Sequence, residues 1–443
     1  MPTKICEEEE KIDTWIEKSD DSNDLADEEI FYDCNDENDV FVQVDSSLPI
    51  NFDQNWSMHE NDNELPWRTT LPYLRPPGLK FSFWSIIKSA IGKDITKFSV
   101  PAYFNEPISM LQKGGEAMEY EDLLVKANQW DDSLLRVAYI SAYSASQYAN
   151  LEERTLKPWN PVLGETYELV TNYFKFFAEQ VSHHPPITAC HASSKDYEVY
   201  MHTDVKSAFK STSLHFTPKG STHVILKSKG EHFVVNRPIT TANNLILGTL
   251  YLDLAGESIA VNRNTGDKWV FRFIKRGWGN KNAYKVEGEI FDGDGNHVYD
   301  VYGHWHRAIY IKHKETKEEI EIWKLNPRLE QWDHLYHFSL FTLQLNYIDD
   351  ELKEKLPWTD SRLRPDQRAL ENGDLNLANK EKHNVEEFQR KKRKEREDAG
   401  IEWIPRYFVE KIDEISGDTY YEFNGQYWKD RESGKLKELE RVF

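Results

Sequence analysis

From Tyr167 to Leu345 the apolar residues fall on alternate positions in run after run, a period that belongs to strands and not to helices. YKVEGEIF (284–291), VYDVYGHW (298–305) and EEIEIW (318–323) alternate or nearly so and are rich in β-branched and aromatic residues, as half-buried strands are. Turn-forming clusters separate the runs: Pro218-Lys219-Gly220, Lys229-Gly230, Asn264-Thr265-Gly266 and Asp292-Gly293-Asp294-Gly295. Many antiparallel strands at short spacing predict a sandwich or a barrel. A stretch of about 180 residues is generous for a small sandwich, so a large barrel with an interior cavity is expected.

Helical patterns flank this region. FSFWSIIKSAIGK (81–93) places Phe83, Ile86, Ile87 and Ala90 on one face with Gly92 as a stop, which predicts a short helix. A longer helical stretch is expected over 117–152, carried by Leu123, Leu124, Ala127, Leu134, Leu135, Ala138 and Ala142. Helix returns at 366–398 with a break at Gly373, and WIPRYF (403–408) with YYEFNGQYW (420–428) predicts a hairpin packed on the body. LPYLRPPGLK (71–80) holds three prolines and a glycine, so it is expected to be extended. The fold class is therefore α+β: an incomplete antiparallel β-barrel over 157–350, N-terminal helices over 81–156, a candidate lid at 65–80, and a C-terminal helical and hairpin region over 351–443.

Charge and cysteine usage exclude several function classes. Residues 1–66 hold 21 of the 76 Asp and Glu but 3 of the 55 Lys and Arg, so −18 of the net −21 sits in this head. Residues 1–64 have too few apolar groups to offset ordering entropy and read as an acidic disordered tail. The nearly neutral body gives no basic footprint for nucleic acid. No apolar run approaches the ~18 residues of a membrane span, and MPTKICEEEE lacks the basic-then-apolar pattern of a secretory signal. Cys6, Cys34 and Cys190 are far apart, which suits a reducing cytosol. A nucleophile elbow, a phosphate loop, a zinc HExxH and a dinucleotide GxGxxG are all missing, so no enzyme and no cofactor or metal is expected. Asp292–Asn296 resembles a calcium loop, but the twelfth position is Gly303 and not Glu, which favours a hairpin turn.

Three segments could carry binding chemistry. In Glu179-Gln180-Val181-Ser182-His183-His184-Pro185-Pro186 the prolines force an extended exit. Two imidazoles beside rigid prolines are either a structural turn or a fixed donor surface for an anion. In Lys157-Pro158-Trp159-Asn160-Pro161-Val162-Leu163-Gly164-Glu165, Lys157 and Asn160 are donors on a proline-stiffened loop, or ordinary loop residues. Lys382, Glu386 and Arg390 are spaced i, i+4, i+8 along one helix; they are either a solvated ion-paired face or cations aimed at phosphate. The basic run Arg390-Lys391-Lys392-Arg393-Lys394 follows, fit either for an ordinary helix end or for anionic lipid.

EQVSHHPP (179–186) resembles the signature of the oxysterol-binding-protein-related family. KPWNPVLGETYE (157–168), KVEGEIFD (285–292), GHW (303–305) and TDSRLRPDQRALENGD (359–374) are similar to further family segments, so the resemblance covers about 80–443. It implies a large, incomplete barrel around a lipid tunnel, and a short form without the pleckstrin-homology domain of longer relatives. It implies no catalysis but transfer of phosphatidylinositol 4-phosphate and a second lipid, a sterol or another, between the endoplasmic reticulum and a second membrane. A lipid sensor or scaffold at membrane contact sites is the alternative. The headgroup site it implies comprises Lys157, Asn160, His183, His184, Lys382, Glu386 and Arg390. In the acidic head, Phe31, Tyr32, Asp33, Cys34 and Asp36 are similar to the FFAT motif, with Ile30 departing from the usual Glu. This implies VAMP-associated proteins of the endoplasmic reticulum as partners, with the chain cytoplasmic and peripheral on anionic membranes.

Overall fold

The computed structural model describes residues 67–75, 100–210, 213–245 and 248–443. The acidic head and the expected helix at 81–93 lie outside the described residues.

The first ordered elements form a frame that the alternation analysis did not anticipate. Strand β1 (Asn105–Ser109) runs parallel to β2 (Lys157–Trp159). Ser109 and Gln112 then form a capping box that opens α1 (Met110–Gly115), satisfying two orphan donors at once. The helical stretch expected over 117–152 is divided. A 3₁₀ turn at Glu116–Tyr120 leads into α2 (Asp122–Gln129), and Trp130 is extended. Asp132 then caps α3 (Ser133–Ser146), accepting from the Leu134 amide at 2.8 Å. The break comes from this capping carboxylate, a stronger local signal than the continuing apolar pattern. All twelve residues from Leu135 to Ser146 are buried, and a helix buried all round must have protein on every side.

That surround is the sheet. Fourteen strands among the described residues form it: β3 (Thr166–Val170), β4 (Lys175–His183), β5 (Pro186–Ser193), β6 (Tyr197–Lys210), β7 (Ser213–Lys219), β8 (Ser221–Leu226), β9 (Glu231–Asn236), β10 (Ile239–Asn243), β11 (Tyr251–Asn262), β12 (Lys268–Phe273), β13 (Lys285–Phe291), β14 (His297–His304), β15 (Ala308–His313) and β16 (Glu319–Lys324). Along one edge, each of the two long strands serves two neighbours. β6 pairs with β8 through Tyr197–Tyr200 and with β7 through Asp204–Lys210. β11 pairs with β10 through Tyr251–Ala255 and with β9 through Ala260–Asn262. The barrel therefore has two tiers on this side. It is incomplete, because β3 and β16 end the strand order without pairing to each other. The β3 edge is covered: the Thr166 amide donates to the Thr359 carbonyl at 2.8 Å, which blunts an otherwise open ladder. Antiparallel alternation brings the C-terminal ends of β4, β6, β12 and β14 to the same rim.

Strand structure stops at Lys324, short of the expected Leu345. Residues 325–339 are turns, and α4 (Leu340–Gln344) follows. Here Leu335, Tyr336, Phe338, Leu340 and Leu343 form a second core with Leu71 and Leu74. Trp67–Arg75, the described part of the candidate lid, is thus pinned at its base. Arg68 Nε donates to the Leu343 carbonyl and the Arg75 amide to that of His334 at 2.9 Å. The C-terminal region continues with α5 (Asp350–Lys355), α6 (Pro365–Glu371) and α7 (Leu375–Asp398), with the break at Gly373. Gly373 has φ +80, and a Cβ there would meet the Tyr73 ring at 2.5 Å, so both backbone and space require glycine.

Finally β17 (Phe408–Ile412) and β18 (Thr419–Phe423) form the expected hairpin, and Gln426–Glu432 is a short helix, α8. This unit packs on the outer face of β4 and β5, where Phe177 stacks on Tyr427 at 3.9 Å. Both faces of β4 are therefore buried from Phe176 to Val181, which is why Phe176-Phe177-Ala178 shows no alternation.

Candidate functional site

His183 and His184 sit at the tip of the β4–β5 hairpin, across a cis His184–Pro185 peptide, with ring centroids 4.6 Å apart. His184 is exposed and His183 half-buried. Burial pushes His183 down to about 3, with the His184 ring acting the same way and the Pro161 backbone opposing. The ring is therefore neutral near pH 7. Its Nδ1 is buried without a hydrogen-bond partner, a state that costs free energy until a ligand satisfies it.

The Lys157–Glu165 loop lies against this tip, through Pro161 at His183. Its shape comes from a buried arginine. Arg364 donates to the Asn160 carbonyl at 2.9 Å and to Glu165 at 3.0 Å, pairs with Asp366 at 2.7 Å, and covers the Trp159 ring at 5.6 Å. Burial acts to lower its pKa, but Asp366 and Glu165 outweigh this and hold it above the usual arginine range. Behind the loop, Gly164 has φ +79 and a Cβ there would strike Trp403 at 2.7 Å. The Glu179 carboxylate takes the Arg406 and Tyr407 amides at 2.9 and 3.0 Å. Burial pushes Glu179 up to about 7 against those two bonds.

Helix α7 supplies the third side. Lys382 pairs with Glu386 at 3.0 Å, and Arg390 lies 3.9 Å from Glu386 while also pairing with Glu387. The contact with the hairpin tip is made by Arg393, whose Nη1 donates to Nε2 of His184 at 3.0 Å. Because a guanidinium can only donate, His184 carries its proton on Nδ1. Arg393 follows Lys382 by eleven residues, three helical turns, so the two share a face more closely than Lys382 and Arg390 do. The structure thus brings the His183–His184 tip against both the loop that carries Lys157 and Asn160 and helix α7. Phe31, Tyr32, Asp33, Cys34 and Asp36 lie outside the described residues.

A second polar group sits inside the barrel, and the sequence analysis did not single it out. Ser144, Gln147 and Tyr148 share one face at the end of α3 by their i, i+3, i+4 spacing. Ser144 Oγ and Gln147 Nε2 are buried without partners, as is Nε of Arg237. Arg237 continues the inward alternation of Phe233 and Val235, and its charge is felt at Tyr148 and Cys190, which burial pushes up to about 12 each. Tyr148 and Arg237 retain surface yet are enclosed by protein, as side chains lining an internal cavity are. The available signal was this polar triplet ending an apolar helix that has no solvent-facing side.

Comparison with known proteins agrees with this architecture. The oxysterol-binding protein family model matches residues 82–432. Oxysterol-binding protein-related protein 3 of Mus musculus is 38% identical over 361 residues, covering 80% of this chain and 42% of that protein. Oxysterol-binding protein homolog 1 of Saccharomyces cerevisiae is 35% identical over 411 residues, covering 86% and 34%. The chain therefore spans about two fifths or less of the length of these relatives. Among solved structures, the Osh1 ORD domain in complex with ergosterol superposes with a TM-score of 0.78 at 35% identity, covering 85% of this chain and 94% of that one. The Osh3 ORD from Saccharomyces cerevisiae in complex with PI(4)P gives 0.73 at 29%, covering 85% and 99%. Matched by the family model over most of its length and by barrel domains that align almost end to end, the chain belongs to the oxysterol-binding protein family.

Proposed function

We propose that this chain is a lipid-transfer protein that exchanges phosphatidylinositol 4-phosphate for a sterol through one barrel interior. The observation that carries the reading is the buried, unpartnered Nδ1 of His183, at a tip bordered by His184, Arg393 and the Lys157 loop. A phosphomonoester brings ~1.5–2 negative charges and three acceptor oxygens. His184, with its proton on Nδ1, is a neutral donor to it, and His183 becomes a donor by taking a proton at Nδ1 beside the dianion; Lys157 and Lys382 are its point charges, and Arg390 and Arg393 its planar forks. Asn160 adds a neutral donor, and Glu386 orients the two cations of its helix face.

The second lipid occupies the interior. A sterol carries one hydroxyl on a rigid apolar body, and the group formed by Ser144, Gln147, Tyr148 and Arg237 can bond that hydroxyl through the buried, unpartnered Ser144 Oγ, Gln147 Nε2 and Arg237 Nε. Burying several hundred Å² of lipid surface contributes on the order of 10 kcal/mol at ~25 cal/mol/Å², comparable to the cost of leaving a bilayer. Two ligands that compete for one interior are exchanged, and their gradients set the direction. No bond is made or broken. The acidic head, with Phe31 and Tyr32 as anchors, tethers the chain to VAMP-associated proteins on the endoplasmic reticulum. Its negative flank steers it onto a basic partner face.

Extraction from vesicles tests this reading. The wild-type chain withdraws phosphatidylinositol 4-phosphate, and His183→Ala/His184→Ala does not while still taking up sterol. Equal extraction by both makes the histidines structural and overturns the site. Binding of both lipids without measurable transfer would identify a sensor.

A further inference from the structure

The loop between β12 and β13, residues 274–284, has no role in the sites above. It carries Lys275, Arg276 and Lys281 and no carboxylate, in a chain of net charge −21. Trp278 at its apex is fully exposed, at 101%, the extreme among large apolar side chains of the described residues. The loop is nonetheless built. The Gly277 amide donates to the Lys281 carbonyl at 2.7 Å, and Ala283 to that of Asn280 at 3.0 Å. The Arg276 guanidinium is held between the Tyr251 and Tyr284 rings at 4.3 and 4.5 Å and faces Asp253 at 3.5 Å. Arg276 therefore anchors the loop, while Lys275, Trp278 and Lys281 are displayed.

Its position gives the display a meaning. Five strands in antiparallel alternation lie between β4 and β12, so the two run in the same direction and the loop rises from the same rim as the His183–His184 tip. A second basic element stands beside it. Lys210, at the exposed end of β6, and Lys275 both act on His215 of β7, so the two rim loops place their cations in one neighbourhood. A solvated indole flanked in the chain by Lys275 and Lys281 matches the interfacial zone of a bilayer, where Trp sits at headgroup level and lysines are drawn to anionic lipid.

We infer that the 274–284 loop is a membrane-insertion foot: Trp278 enters the interface of an anionic bilayer, and Lys275, Lys281 and Lys210 hold the barrel rim against it. With α7 beside the hairpin tip through Arg393 and His184, the rim then meets the membrane through more than one basic element. Docking fixes the mouth toward the bilayer and does not depend on which lipid the interior holds.

The test uses the full chain and vesicles of phosphatidylcholine with phosphatidylserine, lacking both phosphoinositide and sterol, so failure of the headgroup reading leaves it intact. Trp278→Ala and Lys275→Glu/Lys281→Glu each lower vesicle partitioning about tenfold, while Ile412→Ala, an exposed apolar change on the C-terminal hairpin, leaves it unchanged. Brominated acyl chains quench the wild-type fluorescence more than that of Trp278→Phe. Sterol uptake from cyclodextrin stays at the wild-type level in every variant, which excludes misfolding. Unaltered partitioning in both loop variants, or equal quenching of wild type and Trp278→Phe, overturns the inference, including the case where a protein partner is lost instead.

Discussion

The C-terminal hairpin closes over a row of histidines, and their titration yields a quantitative prediction. His191 stacks on Phe423 at 4.7 Å, His202 meets Tyr421 at 5.5 Å, and His223 lies against Tyr420 at 5.0 Å. They are 6%, 3% and 4% exposed, so solvent screening is small. Burial pushes each down to about 4 from 6.5. The titratable and charged neighbours are Glu198 and Lys227 at His191, Arg237, His223 and Lys219 at His202, and His232, Asp413, Arg263 and Asp418 at His223. A histidine with a lowered folded pKa stabilises fully above 6.5 and loses that contribution as pH falls toward 4, because the unfolded chain takes the proton first. At pH 5 the loss is about 2 kcal/mol for each histidine and about 6 kcal/mol for the three. Glu119 and Glu179, which burial pushes up to about 7, act in the opposite sense, so the clean measurement is a difference. His191→Phe keeps the stack and removes the proton. Urea unfolding followed by tryptophan fluorescence at pH 7 and pH 5 gives a variant that gains about 2 kcal/mol on wild type as the pH drops. The same pH dependence in both proteins refutes the reasoning.

Arg364→Met leaves Glu165 and Asp366 as uncompensated buried carboxylates, so thermal unfolding should show a loss of about 3–5 kcal/mol. Even where folding persists, headgroup affinity falls because the loop bearing Lys157 is released. Arg393→Ala removes one charge-assisted donor from the tip, and vesicle titration should give a phosphoinositide affinity weaker by about tenfold or more. Gln147→Leu with Tyr148→Phe removes polar partners from the interior. Sterol binding should weaken by about tenfold while phosphoinositide extraction is unchanged; a parallel loss of both would place the pair in general stability.

The barrel was legible in the sequence because alternation and turn chemistry agree wherever one strand face meets core and the other meets water. Lys285–Phe291 and His297–His304 are such strands, joined by the turn at Asp292–Asn296. Legibility failed where burial is two-sided. In β4 the outer face is covered by Tyr407, Phe408 and Tyr427, a contact between residues over two hundred positions apart that no local pattern encodes. It failed again at Trp130–Asp132, where a cap interrupts an apolar run that periodicity alone continues. The family-like motifs pointed to His183, His184 and the Lys157 loop. The arginines that shape that corner carry no spacing signal of their own: Arg364 acts through loop carbonyls and carboxylates, and Arg393 shares a helix face with Lys382 only after three turns. The interior polar group escaped because Ser144, Gln147 and Tyr148 look like an ordinary helix end until Arg237, just past the end of distant β9, is brought near them by the fold.

Exchange of two lipids through one interior is measured by coupled transfer between two vesicle populations. Sterol leaves donor vesicles, and phosphatidylinositol 4-phosphate is present or absent in the acceptors. The phosphoinositide should accelerate sterol transfer severalfold, and His183→Ala/His184→Ala should abolish the acceleration while keeping the basal rate. A sterol rate indifferent to phosphoinositide in the wild-type chain, or full acceleration in the double variant, contradicts exchange through one interior.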